Sequence, residues 1–243
     1  FGLVGSASAI EINENLSING FIDTSWNDTD QQNGADDQQL GLDEVELNFL
    51  FNVGNVSGAI HIDHDDNQPD GGTEESVEIE QAHFTYGLEN GISFTIGKYG
   101  SKLGFEREDP SGIYTNTRAY GGLGVGGLNI DHDSAFNLGD VDSNVFEGVA
   151  FSYSGEVFTL GLSFHNSASD SNIESDDLDT ELSFSYTGIE NLVIGGGFLF
   201  DNSGNNDGTE SDYVNFHAAY QTGKFLIGAE YTELDIDSAN GAT

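Results

Sequence analysis

The chain of 243 residues has no cysteine and no methionine, only two prolines, and only five lysines and arginines taken together. Without cysteine there is neither a disulfide framework nor a thiolate metal site. No apolar run reaches the roughly 18 residues of a membrane-spanning helix, which excludes that element but says nothing of spanning strands. The scarcity of basic residues excludes nucleic acid as a partner, because phosphate binding needs a basic footprint. Low proline beside 33 glycines, 17 phenylalanines and nine tyrosines suits many strands joined by tight turns and disfavours helical architectures. The length calls for one domain rather than two.

Against those few cations stand 43 aspartates and glutamates, for a net charge of −38. Such acidity suits a solvated surface in a salty, marine or halophilic setting; the sharper alternative is attraction of cations, through selectivity or bound divalent ions. At the N-terminus, residues 1–5 are short and apolar, and Ser6-Ala7-Ser8-Ala9 has the small-x-small pattern of a signal-peptidase site. The expectation is that residues 1–9 are the remnant of a signal peptide cut after Ala9, with its front missing, and that the domain spans 10–243. The alternative is a short apolar first strand.

From Leu16 onward the hydropathy has period two, the pattern of half-buried strands. Leu16, Ile18, Gly20, Ile22 and Trp26 share one face, and Ser17, Asn19, Asp23 and Ser25 the other. Val45, Leu47, Phe49, Phe51 and Val53 oppose Glu44, Glu46, Asn48 and Asn52; Val56, Ile60 and Ile62 oppose Ser57, His61 and Asp63. Further runs lie around 82–86, 92–96, 145–153, 158–164, 178–186, 192–200, 214–220 and 225–231, and a run at 74–80 is out of phase with the one at 82–86. The reading is eleven strands.

The links between them alternate in length. Short ones lie at Gly54-Asn55, 87–91, Gly155-Glu156, 188–191 and 222–224; long polar ones lie at 27–41, 65–73, 100–143, 166–176 and 201–210. Outer-membrane barrels have short periplasmic turns and long external loops, with strands apolar outward and polar inward. A soluble sandwich accounts for the strand alternation but not for the sorting of loops by length. The predicted fold class is therefore all-β: an antiparallel up-and-down transmembrane β-barrel. An odd strand count, a chain stopping in what should be an external loop, and no closing aromatic strand lead us to expect an incomplete C-terminus.

The stretch Gly97-Lys98-Tyr99-Gly100-Ser101-Lys102-Leu103-Gly104-Phe105-Glu106, followed by Asp109-Pro110 and Thr117-Arg118-Ala119-Tyr120, resembles the OmpL-like putative outer-membrane β-barrel porins. The shared features are a glycine, lysine, aromatic triplet closing a strand, then a leucine, glycine, aromatic, glutamate motif, then an arginine beside an aromatic. The hairpins at 180–200 and 214–231 are similar too. The resemblance implies a bacterial porin with a larger barrel, of about 16 strands. The extreme acidity and the glycine-rich 121–127 segment depart from that pattern.

Four of the five basic residues, Lys98, Lys102, Arg107 and Arg118, fall in or at the base of the third long loop, and only Lys224 lies elsewhere. In a porin such a loop folds into the lumen, where a few cations facing carboxylates set a transverse field at the constriction. The expected constriction comprises these four residues with Glu106, Glu108 and Asp109, and the expected lumen wall comprises Asp23, Glu44, Glu46, Asp63, Asp179, Glu181 and Glu230. The alternative is that Arg107 and Arg118 form buried structural ion pairs holding the loop.

Asp201, Ser203, Asn205, Asp207 and Asp212 carry oxygen ligands at roughly EF-hand offsets, but Asn206 replaces the expected glycine and Asp212 the bidentate glutamate. A solvated external loop explains them as well, and looser Ca2+ or other divalent ions bridging loops to lipopolysaccharide is the softer form of the idea. The cluster His61, Asp63, His64, Asp66 matches no zinc spacing and suits a hydrated strand border. No nucleophile elbow or phosphate-binding loop occurs, so nothing points to an enzyme or a cofactor. The leading expectation is a porin passing small hydrophilic solutes or ions across the outer membrane of a Gram-negative bacterium. Lipid and lipopolysaccharide would be its surroundings, and a homo-oligomer such as a trimer its assembly. The alternative is a secreted or surface acidic β-sandwich binding calcium or a protein partner.

Overall fold

The computed structural model describes residues 2–29, 37–65, 76–105, 145–166, 178–200, 202 and 209–238. These form twelve strands: β1 (Gly2–Asn13), β2 (Leu16–Thr29), β3 (Asp37–Val53), β4 (Val56–Asp65), β5 (Ser76–Gly87), β6 (Ile92–Gly100), β7 (Val145–Ser154), β8 (Phe158–His165), β9 (Asp179–Ile189), β10 (Leu192–Phe200), β11 (Thr209–Thr222) and β12 (Phe225–Ser238). They make one sheet in the order β1 to β12, each strand hydrogen-bonded to its neighbours in sequence. The ladders from β1 to β4 and from β6 to β12 are antiparallel. No helix among the described residues is long and apolar enough to cross a membrane. The meander divides into two compact units, residues 1–82 and 83–243.

Two expectations change. The eleven strands become twelve, because Gly2–Asn13 form β1 and pair with β2 from Gly2 opposite Ser25 to Asn13 opposite Leu16. Glycine, serine and alanine alternating with leucine and valine satisfy a strand as well as a cleavage site, and the parity step built on an odd count falls with it. The sandwich is also excluded, since a sequential one-sheet order contains none of the crossovers that build two packed sheets. The run at 74–80, out of phase in the sequence, lies mostly in β5.

Short turns are where the chain needs unusual backbone. Gly54 (φ 62°), Gly223 (φ 57°) and Asn191 (φ 63°) occupy the left-handed region that two-residue hairpin loops demand. Short links join β1 to β2, β3 to β4, β5 to β6, β7 to β8, β9 to β10 and β11 to β12, whereas every intervening pair is separated by a longer polar segment.

Pairing also fixes side-chain phase. In the first unit the register aligns Phe21, Glu46 and Asp63 across three strands, and beside them Asn19, Asn48 and His61. That face is polar and buried, with Glu46 only 3% exposed, while Ile22, Leu47 and Ile60 on the other face are open. The second unit repeats the arrangement: Ser163, His165, Asp179, Glu181 and Asn215 are buried, and Leu160, Leu182, Phe216, Ile227 and Tyr231 are exposed. This inverts the sorting of a water-soluble domain, in which charged residues are almost never fully buried.

Close strand packing makes Gly20 sensitive. A Cβ there would meet the Glu46 carbonyl oxygen at 2.1 Å, whereas Gly54 has open space around it. Gly20→Ala is expected to lower stability by about 1–3 kcal/mol, read as a fall in the denaturant midpoint. Gly54→Asn, keeping a residue that tolerates a positive φ, should leave that midpoint nearly unchanged.

Candidate functional site

The segment 101–105 leaves β6 and runs over the buried polar face of β9 to β12. Most steps are held by a side chain of that face. The Ser101 hydroxyl donates to Glu181 Oε2, and the Lys102 N–H donates to Glu181 Oε1 at 3.0 Å. The Leu103 N–H reaches back to Ser101 Oγ at 3.1 Å, the Gly104 N–H reaches Asn215 Oδ1 at 3.1 Å, and the Phe105 N–H reaches Glu230 Oε1 at 2.9 Å. Hydrogen bonds from backbone amides to carboxylates are charge-assisted and stronger than neutral ones.

Asn215, 0% exposed, is the hub. Its Nδ2 donates to Glu230 Oε1 at 2.7 Å and to Thr232 Oγ1 at 3.1 Å, while its Oδ1 accepts from Gly104 and lies 3.2 Å from His217 Nδ1. Between these polar anchors Leu103 buries itself with Phe146, Leu199 and Tyr213. Phe146 stacks on the His165 ring with centroids 3.8 Å apart. The approach is possible because β10 has a glycine, Gly197, beneath Leu103. A Cβ on Gly197 would lie 2.6 Å from Leu103 Cδ2 and 1.9 Å from the Leu182 carbonyl oxygen, and one on Gly228 of β12 would lie 3.3 Å from the Phe105 ring. The triplet Gly195-Gly196-Gly197 was the available sequence signal, since glycines inside a strand mark close approach by another segment.

All seven acidic residues expected in the wall lie on the polar faces. Glu44 pairs with Asp23, and Glu46 with Asp63, in the first unit. In the second, Asp179 is opposite His165, Glu181 opposite Ser163, and Glu230 opposite His217. Asp179 Oδ1 also accepts the Asn202 N–H at 2.9 Å. Of the expected constriction residues, Lys102 is exposed at the start of the loop base. Lys98 is on the other side: register places it opposite Glu147, in phase with Ile92, Phe94 and Ile96 on the apolar face. A single residue of period-two phase separates it from the face of Tyr99, which is why clustering in sequence did not translate into clustering in space. Glu106, Arg107, Glu108, Asp109 and Arg118 lie outside the described residues, as do Asp201, Ser203, Asn205 and Asp207 of the calcium candidate. Asp212 is an exposed residue of β11.

His61 is not grouped with its sequence neighbours. Its Nδ1 lies 3.2 Å from Glu46 Oε1 and 3.6 Å from Glu80 Oε2, residues of β3 and β5 that no local spacing connects to it.

An outer-membrane expressed protein, OmpT of Vibrio cholerae, superimposes with a TM-score of 0.53 at 13% identity, covering 96% of this chain and 68% of that one. The fold is an antiparallel up-and-down sheet of the outer-membrane β-barrel type, with β1 and β12 as its two edges. A mutant of the Rh. blastica porin matches at a TM-score of 0.42 and 16% identity, over 93% of this chain and 86% of that one. No protein-family profile and no curated protein sequence matches the chain. In barrel terms, the buried polar face is the inward one, and residues 101–105 cross it.

Glu181 carries two of the anchors, so removing its carboxylate leaves buried donors unmatched at a cost of about 1–3 kcal/mol. Glu181→Leu is expected to speed trypsin cleavage after Lys102 by about tenfold or more. Exposed Glu233, bound only by Tyr231 among the described contacts, serves as control: Glu233→Gln should cleave at the parental rate. Equal rates in all three proteins would show that Glu181 does not hold the segment.

Proposed function

We propose that this protein is an outer-membrane porin, a water-filled channel for passive diffusion of small hydrophilic solutes or ions, related to the OmpL-like porins whose Gly97 to Tyr120 pattern it resembles. One observation carries the reading: carboxylates are buried on one face of each unit while leucine, isoleucine and phenylalanine are exposed on the other. In water that sorting is unfavourable on both faces. In a bilayer lipid covers the apolar face, and the inward acids are met by hydroxyls, backbone amides and histidine. A groove of about 570 Å³ on the apolar face of the second unit, lined by residues including Phe151, Tyr153, Leu160, Leu182, Phe184 and Phe198, has the size and chemistry for acyl chains.

The acidic wall favours cations. The anchored 101–105 segment leads into the third loop, whose Lys102, Arg107 and Arg118, with Glu106, Glu108 and Asp109, set the constriction in this reading. Lys98, facing lipid headgroups or a neighbouring protomer, stands outside that set. The surroundings are lipopolysaccharide of a Gram-negative outer membrane, with divalent ions screening the acidic loops and a homotrimer as the assembly. The carriage is passive, without cofactor or catalysis.

Two measurements test this. In planar bilayers the protein should conduct with a preference for cations, and joint neutralisation by Lys102→Gln and Arg107→Gln should change both conductance and ion preference; unchanged values would remove the loop from the constriction, and absence of conductance would remove the channel. Placing a charge on the lipid face by Leu182→Arg should cost about 2–4 kcal/mol near the bilayer midplane, measured as reduced folding into phospholipid vesicles. A variant folding as well as the parent would argue that this face does not meet lipid.

A further inference from the structure

Glu46 is the most deeply buried carboxylate of the first unit among the described residues, with its side chain 1% exposed. Its Oε2 has no hydrogen-bond partner among the described residues. An ionised carboxylate in that position is strongly unfavourable unless something of opposite charge meets it. What faces it is a nitrogen and a second carboxylate. His61 Nδ1 is 3.2 Å from Glu46 Oε1 and 3.6 Å from Glu80 Oε2, and the donor atoms of all three residues lie within 4.8 Å of one another. The Gln81 side-chain amide contacts Glu80 Oε1 at 3.4 Å, which leaves Oε2 turned to the cluster.

Hydrogen bonding alone does not account for this arrangement. A single Nδ1–H can approach both oxygens but bond well to one, and it offers nothing to Glu46 Oε2. The spacing instead matches a coordination shell. Metal–ligand bonds of about 2.0–2.2 Å at a tetrahedral centre put adjacent donor atoms roughly 3.3–3.6 Å apart, close to the 3.2 and 3.6 Å between His61 and the two glutamates, with all three donors within 4.8 Å of one another. We propose that Glu46, His61 and Glu80 form a binding site for one divalent transition-metal cation, of which Zn2+ is the type, on the inward wall of the first unit.

The donor set selects the class of ion. One imidazole nitrogen with two carboxylates suits zinc, manganese or cobalt; calcium prefers six to eight oxygens, and magnesium an octahedral shell of oxygens. Three protein ligands leave a fourth position for water, so the ion is exchangeable rather than locked in. His61, its side chain 16% exposed, opens the cluster to the polar side. Each ligand comes from a different strand, β3, β4 and β5, so the site exists only when the sheet is paired. It stands independently of whether the barrel conducts.

The test is a Zn2+ titration by calorimetry of the protein folded in detergent, with millimolar Ca2+ present to occupy general acidic surface. Saturable binding of about one Zn2+ per chain is expected, weakened by about tenfold or more in Glu46→Gln and separately in His61→Asn. Glu190→Gln, changing an exposed acid in the turn between β9 and β10, should bind within about twofold of the parent. Absence of saturable binding in the parent overturns the proposal without recourse to any variant. So does His61→Asn binding like the parent, which would leave His61 as a cationic partner of the two glutamates and no ligand. Because the two variants lie on different strands, failure of one to fold leaves the other decisive.

Discussion

Pairing between neighbouring antiparallel strands governs this molecule, because each ladder sets which way every side chain points. Successive residues alternate faces, so one register turns an alternating sequence into two continuous surfaces. Phe21, Glu46 and Asp63 fall into one row only because β2, β3 and β4 pair as they do. A slip of one residue would carry the glutamate to the face of Leu47 and Ile60. Turns that force a left-handed residue at Gly54, Asn191 and Gly223 help hold that register.

The inverted sorting then sets the electrostatics. Glu46, Glu80, Asp179 and Glu181 are buried on a chain of net charge −38, so these four carboxylates sit where the polar surface is least solvated. Such groups persist only with partners. In the second unit these are backbone amides and hydroxyls: Glu181 and Glu230 each accept from the 101–105 segment, whose own amides would otherwise lack partners over a polar wall. In the first unit the Glu46, His61 and Glu80 cluster meets the same demand in a different way. One wall thus uses its carboxylates to hold a loop and the other to present a ligand set.

Loop anchoring depends as much on glycine as on charge. Gly197 removes the side chain where Leu103 must pack, Gly195 makes room for the His217 ring, and the loss of strand propensity is offset by burial of Leu103 with Phe146, Leu199 and Tyr213. Position along the strand therefore decides where a loop can cross the inward face.

The sequence by itself determined eleven of the twelve strands, their alternation, the short and long links and the polar phase of seven acidic residues, because period two and turn chemistry are local properties. It left β1 uncounted, since small and apolar residues satisfy both a cleavage signal and a strand, and the strand is seen only in its pairing with β2. It grouped Lys98 with Lys102 by proximity, although their faces differ, because a cluster in sequence carries no phase until a register exists. Tertiary structure alone decided which residues meet across strands. Asn215 reaches Gly104, and His61 reaches Glu46 and Glu80, through ladder contacts that no local spacing encodes. Long-range partners arise from pairing geometry, and a one-dimensional pattern contains the faces but not the neighbours.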